Sequence, residues 1–375
     1  MLGVVAITLS VWAVLLAVVS HVKFGGDLRG FVFLGEKLYH PDALAGIPRC
    51  GRYGYDGQFY AALATDPFLR SPDTVKALDA PAYRASRILL PMIAWCAALG
   101  NPRAAVVAYQ ALSWTLSVLA VAVVSLCLRQ EGRSPWWGLL LAVNAGLVTA
   151  IFRSTHDGAA VVLIVATLWL AGRQRHRWAL GAASAAILCR ETGYAAPLAV
   201  AVHELVKRRY RRALQYVLVP LAPALAWHAY LQTTWHPNFG LPASVGFPVV
   251  ALAGKVNAVL GARPVLLSQE FWGALAACLT VLGGLVVAFG KRRFEPERLV
   301  FVAFGALALC LAPRAYADVY GFSRHLITLP FLAVVIAARE DSRWVKVVLL
   351  SAPVAFSIAG LLMIAGELEP LIGSL

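Results

Sequence analysis

The chain has 375 residues, of which 60% are hydrophobic and only 14% are charged, and its mean hydropathy is +0.72. A soluble domain of this composition would expose apolar surface in every direction, so the composition excludes an ordinary soluble protein and predicts a polytopic membrane protein. The formal net charge of +14 does not indicate nucleic-acid binding, because arginines gathered in short cytoplasmic loops give the same total.

Eleven apolar segments along the chain predict an all-α protein with about eleven transmembrane segments. The first has no basic stretch before it, which favours a retained first helix over a cleaved signal. Several are shorter than the roughly 20 residues of a straight span and are expected to be bent or broken. The segments are 2–20, 104–127, 136–152, 157–172, 178–189, 195–206, 212–231, 271–290, 298–313, 325–338 and 345–366.

Two more apolar stretches, 88–100 and 247–262, are interrupted by proline, glycine and isolated charges. They are expected to lie at the membrane surface or to re-enter the membrane. No internal repeat and no separate soluble domain is visible, so residues 1–375 are expected to form one transmembrane domain. Five of the six cysteines lie in apolar segments without a CxxC pair, which predicts neither a disulfide framework nor a zinc site.

Five loops rich in Lys and Arg set the expected orientation. With the segments above, all five fall on one side, which the positive-inside rule makes cytoplasmic. We therefore expect an integral protein of the bacterial inner membrane with a cytoplasmic N-terminus and a long first extracytoplasmic loop at 21–87. The basic loops are 129–133, 172–177, 207–212, 291–298 and 339–346.

The outer loops and turns collect charged and aromatic residues, and ionisable groups at a membrane boundary are functional candidates because they are costly there. Asp56 is the predicted general base, since a carboxylate above the membrane can accept a proton from a hydroxyl. Arginines can hold a lipid-linked phosphate, and tyrosines can stack on a sugar. The predicted substrate-binding residues are Tyr55, Gln58, Tyr60, Asp66, Arg84, Arg87, His156, Asp157, Arg190, Glu191, His236, Tyr320, Arg324 and His325.

Each candidate also has a purely structural interpretation. Asp56 before Gly57, and Asp66 before Pro67, could be turn residues. The pair 156–157 could cap the helix that follows it. Arg190 and Glu191 could form a local ion pair in a broken helix. The other arginines could reach the interface or the lipid headgroups.

Four short motifs resemble the GT-C superfamily of polytopic glycosyltransferases. The stretch from Tyr55 to Tyr60, YDGQFY, is similar to the Trp-Asp-x-x-x-Tyr loop motif of PIG-V-like mannosyltransferases and their bacterial relatives, with tyrosine in place of tryptophan. RILLP at 87–91 resembles the Arg-x-x-x-Pro that follows this loop. RETG at 190–193 resembles a charged turn between two short helices, and SRHL at 323–326 resembles a late Ser-Arg-x-Leu element.

The resemblance implies an inverting transferase that uses a polyprenyl-phosphate-linked sugar and an extracytoplasmic glycan, lipid or protein acceptor. It gives the catalytic-base role to Asp56 and makes Asp66 the candidate for a second acidic residue. The superfamily includes metal-independent and divalent-metal-dependent members, so metal ligands stay unassigned. A transporter or flippase of a lipid-linked sugar, or another lipid-linked glycan ligase or polymerase, is the alternative. The absence of a repeat and the acidic first outer loop count against a transporter.

Overall fold

The computed structural model describes residues 2–235, 246–262 and 265–372. Within these ranges the chain forms helices and connecting loops but no strand, and one isolated bridge joins Leu34 to Arg49. The predicted all-α class is confirmed for this part of the chain.

The described residues form seventeen α-helices, numbered here in chain order. The first nine are α1 (Leu2–Phe24), α2 (Gly57–Thr65), α3 (Pro72–Lys76), α4 (Pro81–Ala85), α5 (Leu89–Ala97), α6 (Pro102–Gln130), α7 (Ala145–Phe152), α8 (Asp157–Gly172) and α9 (His176–Cys189). The others are α10 (Ala195–Val206), α11 (Tyr210–Trp235), α12 (Val250–Leu260), α13 (Gln269–Ala288), α14 (Pro296–Cys310), α15 (Val319–His325), α16 (Thr328–Arg339) and α17 (Arg343–Ile372).

Four helices, α1, α6, α13 and α17, are long and apolar enough to cross a membrane. Two bent pairs pass the same test together: the 3-10 helix Pro135–Leu141 with α7, at 65°, and α15 with α16, at 49°. The described chain therefore has four to six apolar helical units of membrane-spanning size, as a polytopic membrane protein requires. Length and hydropathy alone do not confirm the predicted count of about eleven.

The five basic loops lie at one end of the helix bundle, called the basic end below. Side chains of different loops contact one another there, which agrees with the common side that their charges predict. The linking contacts are Arg339–Glu131, Arg339–Glu297, Arg173–Gln130 and Arg212–Gln174.

The first and last helices connect the basic end to the opposite end. A Cβ atom added at Gly3 would lie 3.3 Å from the ring of Trp136, so α1 begins near the basic end. At the other end of α1, Lys23 pairs with Glu367 near the end of α17. Because α17 begins at Arg343, within the last basic loop, the two helices run antiparallel between the ends.

The long first connection is folded against the bundle. Helix α1 continues to Phe24, and α2, α3 and α4 follow before α5, which covers most of the predicted surface or re-entrant stretch 88–100. Every residue of α2 is buried, and α2 packs on α5 and α6. This packing carries the stretch 51–68 into the bundle.

Candidate active site

Gln58 shapes the loop that carries Asp56. Its side-chain oxygen accepts a hydrogen bond from the Gly35 N–H at 2.9 Å, and its nitrogen donates to the Tyr53 carbonyl at 2.9 Å. The Tyr55 N–H donates to the Phe33 carbonyl at 2.9 Å. Gln58 is buried, and both its amide oxygen and its amide nitrogen hydrogen-bond to backbone. These contacts stabilise the loop and are not those of a sugar-binding side chain.

Gly57 brings this loop against the turn 153–157. A Cβ atom at Gly57 would lie 2.2 Å from the Arg153 carbonyl oxygen and 3.0 Å from that of Val32. Only glycine permits so close an approach of two backbones. The glycine after Asp56 is thus required by packing, beyond any role in a turn.

Asp56 lies between two arginines. Its Oδ1 accepts a hydrogen bond from Arg84 Nη2 at 2.9 Å. Its Oδ2 lies 2.7 Å from Arg84 Nη1 and 2.5 Å from Arg324 Nη2, ion-pair contacts that lack hydrogen-bond alignment. All three side chains are less than one-fifth exposed. Asp56 precedes α2 but its carboxylate does not cap that helix, so the turn-residue interpretation does not account for it.

The charges of the two arginines control the protonation of Asp56. Burial alone raises the pKa of this carboxyl, but the positive charges of Arg324 and Arg84 outweigh burial and hold its pKa well below the ordinary 3.8. Burial lowers the pKa of Arg84, but the charge of Asp56, the neighbouring Tyr60 and the hydrogen bonds to Asp79 and Asp56 together hold this pKa well above its ordinary value. Asp56 is therefore ionised at neutral pH and is a weak base while both arginines hold it.

A second set of contacts connects Tyr60, Arg87 and Glu191 to the ion pairs of Asp56. The Tyr60 hydroxyl accepts from Arg84 at 3.3 Å and from Arg87 at 3.0 Å. Arg87 also donates to Glu191 Oε2 at 2.8 Å and contacts the Tyr83 hydroxyl. Arg87 is fully buried, so it is not a headgroup anchor at the surface.

Arg190 joins two further turns to the cluster. It pairs with Asp157 and donates to the Arg324 carbonyl at 3.0 Å, and its Nη2 lies 2.8 Å from His325 Nδ1. The local Arg190–Glu191 ion pair considered from the sequence is wrong, because Glu191 pairs with Arg87 instead. A capping hydrogen bond from His156 is likewise absent from α8.

We call the residues at this junction the arginine cluster. It unites the first long connection, the turn before α8, the turn after α9, and α15. Tyr55 belongs to it because the Arg324 guanidinium lies 5.3 Å from the centre of its ring. The cluster comprises Tyr55, Asp56, Tyr60, Arg84, Arg87, His156, Asp157, Arg190, Glu191, Arg324 and His325.

Polar atoms without hydrogen-bond partners concentrate in the arginine cluster. Among the described residues, nine buried side-chain nitrogen or oxygen atoms lack such a partner, and five of them are in the cluster. These five are Asp56 Oδ2, both ring nitrogens of His156, Arg190 Nε and Arg324 Nε. Asp56 Oδ2 is nevertheless held by the ion pairs with Arg84 and Arg324. Because buried polar groups are ordinarily paired, the four remaining nitrogen atoms indicate a binding site for a polar ligand.

His156 is the clearest of these groups. Its side chain is buried, and its ring packs nearly perpendicular to that of Tyr60, with the ring centres 4.3 Å apart. Neither nitrogen has a partner, although a neutral imidazole offers one donor and one acceptor. A hydroxyl could satisfy either atom, whereas a phosphate oxygen could accept only from the nitrogen that carries the proton.

Tyr320 lies in a neighbouring cluster that the sequence did not reveal in full. Its hydroxyl donates to Glu367 at 2.8 Å, and Glu367 pairs with Arg153 at 2.6 Å. The Arg153 guanidinium lies 4.6 Å from the centre of the Tyr320 ring. Glu367 was missed, although a carboxylate at the end of an apolar segment is the same signal that marked the other candidates.

Asp66 does not join Asp56. The two carboxylates lie at opposite ends of α2, roughly 15 Å apart along its axis at 1.5 Å per residue. Asp66 Oδ2 accepts from the Ser71 N–H at 2.7 Å. This contact supports the turn interpretation, and the idea that Asp66 contributes to the same site as Asp56 is wrong for this arrangement.

Two other expectations concern His236 and metal binding. His236 lies outside the described residues. Within the described ranges no group of three His, Cys, Asp or Glu side chains is placed to hold a metal ion. Asp56 and Asp66 are too far apart to share one, and Asp56 faces two guanidinium groups, whose charges disfavour a cation.

No protein-family model, no curated protein and no solved structure matches the chain.

Proposed function

We propose that this membrane protein is a GT-C type glycosyltransferase, which moves a hexose from a polyprenyl-phosphate-linked donor to an acceptor hydroxyl with inversion. The observation that supports this proposal best is the buried arginine cluster around Asp56, with its unpaired polar atoms. It combines the two parts of such a site: cations for a lipid-linked phosphate, and a carboxylate for the acceptor proton.

The donor phosphate is proposed to bind to Arg84 and Arg324, the two arginines that hold Asp56 in the free protein. A phosphate competes well for guanidinium groups because it can accept paired, charge-assisted hydrogen bonds. Its negative charge next to Asp56 also disfavours the ionised carboxylate, which raises the affinity of Asp56 for a proton. Donor binding therefore converts a weak base into a stronger one.

The reaction step follows from this arrangement. Asp56 accepts the proton of the acceptor hydroxyl as the hydroxyl oxygen attacks the anomeric carbon from the face opposite the phosphate. The new glycosidic bond forms while the bond from the anomeric carbon to the phosphate oxygen breaks. The polyprenyl phosphate leaves with both electrons of that bond, and its charge is stabilised by the arginines. Tyr55, the partly exposed tyrosine of the cluster, offers a ring face to the sugar.

We further propose the predicted topology of about eleven transmembrane segments, with the N-terminus in the cytoplasm and the arginine cluster on the outer face. In support, several shorter helices also extend between the two ends. Helix α8 begins at Asp157 in the cluster and ends next to Arg173 of a basic loop, and α9 returns to Arg190. The positively charged loops of the basic end fit the cytoplasmic side of a bacterial inner membrane.

Purified protein in lipid nanodiscs, supplied with a radiolabelled polyprenyl-phosphate hexose and with acceptors extracted from cells that lack the gene, tests the activity. We expect labelled sugar in a new glycosidic product, identified by comparing glycans and glycolipids of cells with and without the gene. A transporter or flippase, whose buried charges would fit the same cluster, would instead move labelled donor across sealed vesicles without forming that bond. Movement without bond formation contradicts the proposal.

A further inference from the structure

An apolar pocket lies at the basic end, away from the arginine cluster. It has a volume of about 160 Å³ and lies between α6, the 3-10 helix 135–141, α16 and α17. Its apolar walls include Leu128, Trp137, Val334 and Leu350. An engineered apolar cavity of about 150 Å³ in another protein holds benzene, so this pocket has room for a hydrocarbon segment of similar size.

Two cations, Arg133 and Lys346, border this pocket. Arg133 donates to the Ala338 carbonyl at 3.0 Å, and within the described ranges neither cation has a carboxylate partner. The nearby Arg339, in contrast, is neutralised by two glutamates at 2.9 Å. The pocket thus joins an apolar interior to two uncompensated positive charges.

Exposed tryptophans indicate the depth of the pocket in the membrane. Trp136 and Trp137 stand in the pocket's own 3-10 helix, and Trp344 lies two residues before Lys346; each is more than half exposed. Tryptophan is enriched where a membrane protein crosses from hydrocarbon to headgroups. The two cations therefore lie at the level of lipid phosphates, with the apolar pocket beside them.

We propose that this pocket binds one anionic phospholipid, with the headgroup phosphate between Arg133 and Lys346 and a segment of an acyl chain against Leu128 and Val334. Charge selects the lipid, because two unpaired cations attract an anionic headgroup and gain little from a zwitterionic one. This site is separate from the arginine cluster and does not depend on the proposed transferase activity.

Native mass spectrometry of the full chain in a neutral detergent tests the proposal, with phosphatidylglycerol and phosphatidylcholine of identical acyl chains as probes. The wild-type protein is expected to retain phosphatidylglycerol preferentially. The double variant R133Q/K346Q should bind it about tenfold or more weakly, since each cation near a membrane surface contributes on the order of a factor of five.

The matched control is K207Q/R211Q, which removes the same charges from an exposed basic loop outside the pocket. It should keep the lipid preference. Glycerol phosphate, which has the phosphate but no acyl chain, should not raise the unfolding temperature as phosphatidylglycerol does. Equal retention of both lipids by wild type, equal loss in both double variants, or equal protection by glycerol phosphate overturns the proposal. If R133Q/K346Q does not fold, the comparison of phosphatidylglycerol with phosphatidylcholine on the wild-type protein tests the proposal by itself.

Discussion

Asp56 and Arg324 are 268 positions apart in the sequence (324 − 56), yet their side chains meet with Asp56 Oδ2 at 2.5 Å from Arg324 Nη2. Arg84 closes the other side of the carboxylate. The Asp56 carboxylate is thus an anion of the protein itself. It pairs with two arginines that could also bind the anionic group of a ligand. In the proposed mechanism, the free protein is therefore a closed form in which the base Asp56 and the phosphate-binding arginines neutralise each other.

Removing Arg324 should weaken binding of the donor phosphate. Arg324→Gln keeps a polar side chain but removes the charge, and we expect about tenfold to one-hundredfold weaker binding of polyprenyl phosphate, measured by the ligand-induced rise in unfolding temperature. The control is Arg314→Gln, at an exposed position in the preceding turn. Equal loss in both variants would mean that only net charge matters.

The Asp56 ion pairs should stabilise the fold at neutral pH and lose this effect in acid. The folded-state pKa of Asp56 lies well below its ordinary value, so the unfolded chain takes up the proton first as pH falls. The stabilisation is fully present above about pH 4, the pKa of an unperturbed aspartate, and declines below it. Unfolding of wild type and Asp56→Asn, compared between pH 7 and pH 3, should show a difference that narrows toward pH 3. A difference that widens in acid contradicts this account.

Gly57→Ala should disrupt the site through the backbone. The added Cβ would approach the Arg153 carbonyl oxygen, so α2 must shift and carry Asp56 with it. We expect a destabilisation of about 1–3 kcal/mol and at least a tenfold loss of transfer. Gly172→Ala is the control, because a Cβ there meets nothing within 4 Å. Normal activity of Gly57→Ala would show that the loop tolerates displacement.

The basic end should face the cytoplasm. With Cys50 and Cys96 replaced by serine, a cysteine at exposed Arg175 should react with a membrane-impermeant maleimide only in broken cells or inverted vesicles. Asn101→Cys, before α6 at the other end, should react in intact cells. The reverse pattern would place the arginine cluster in the cytoplasm and contradict an extracytoplasmic site.

The helices and the two ends of the bundle could be predicted from the sequence with elementary rules. Each predicted apolar segment overlaps a helix, as 2–20 does with α1 and 345–366 with α17. Hydropathy identifies such segments because the membrane requires apolar side chains and an internally paired backbone. The Lys and Arg content of the loops then assigns them to two sides, which predicts that the basic loops group at one end.

Partner choice within the site could not be predicted. The chain order suggested Arg190 with Glu191, but neighbouring residues after a helix point in different directions, and each found a partner on another element. Asp66 seemed equivalent to Asp56 in the sequence, yet the nine residues of α2 lie between them and hold the two carboxylates at opposite ends of that helix. Such pairings depend on tertiary packing, which one sequence does not display.

The most direct test of the central claim is polyprenyl-phosphate binding and sugar transfer measured together for Asp56→Asn. Removing the internal anion frees Arg84 and Arg324, so the variant should bind polyprenyl phosphate about tenfold more tightly while losing transfer by at least a thousandfold. Asp79→Asn, which removes the other carboxylate on Arg84 at a half-exposed position, should retain transfer. Wild-type transfer by Asp56→Asn, or unchanged lipid-phosphate affinity, would contradict the competition between Asp56 and the donor for these arginines.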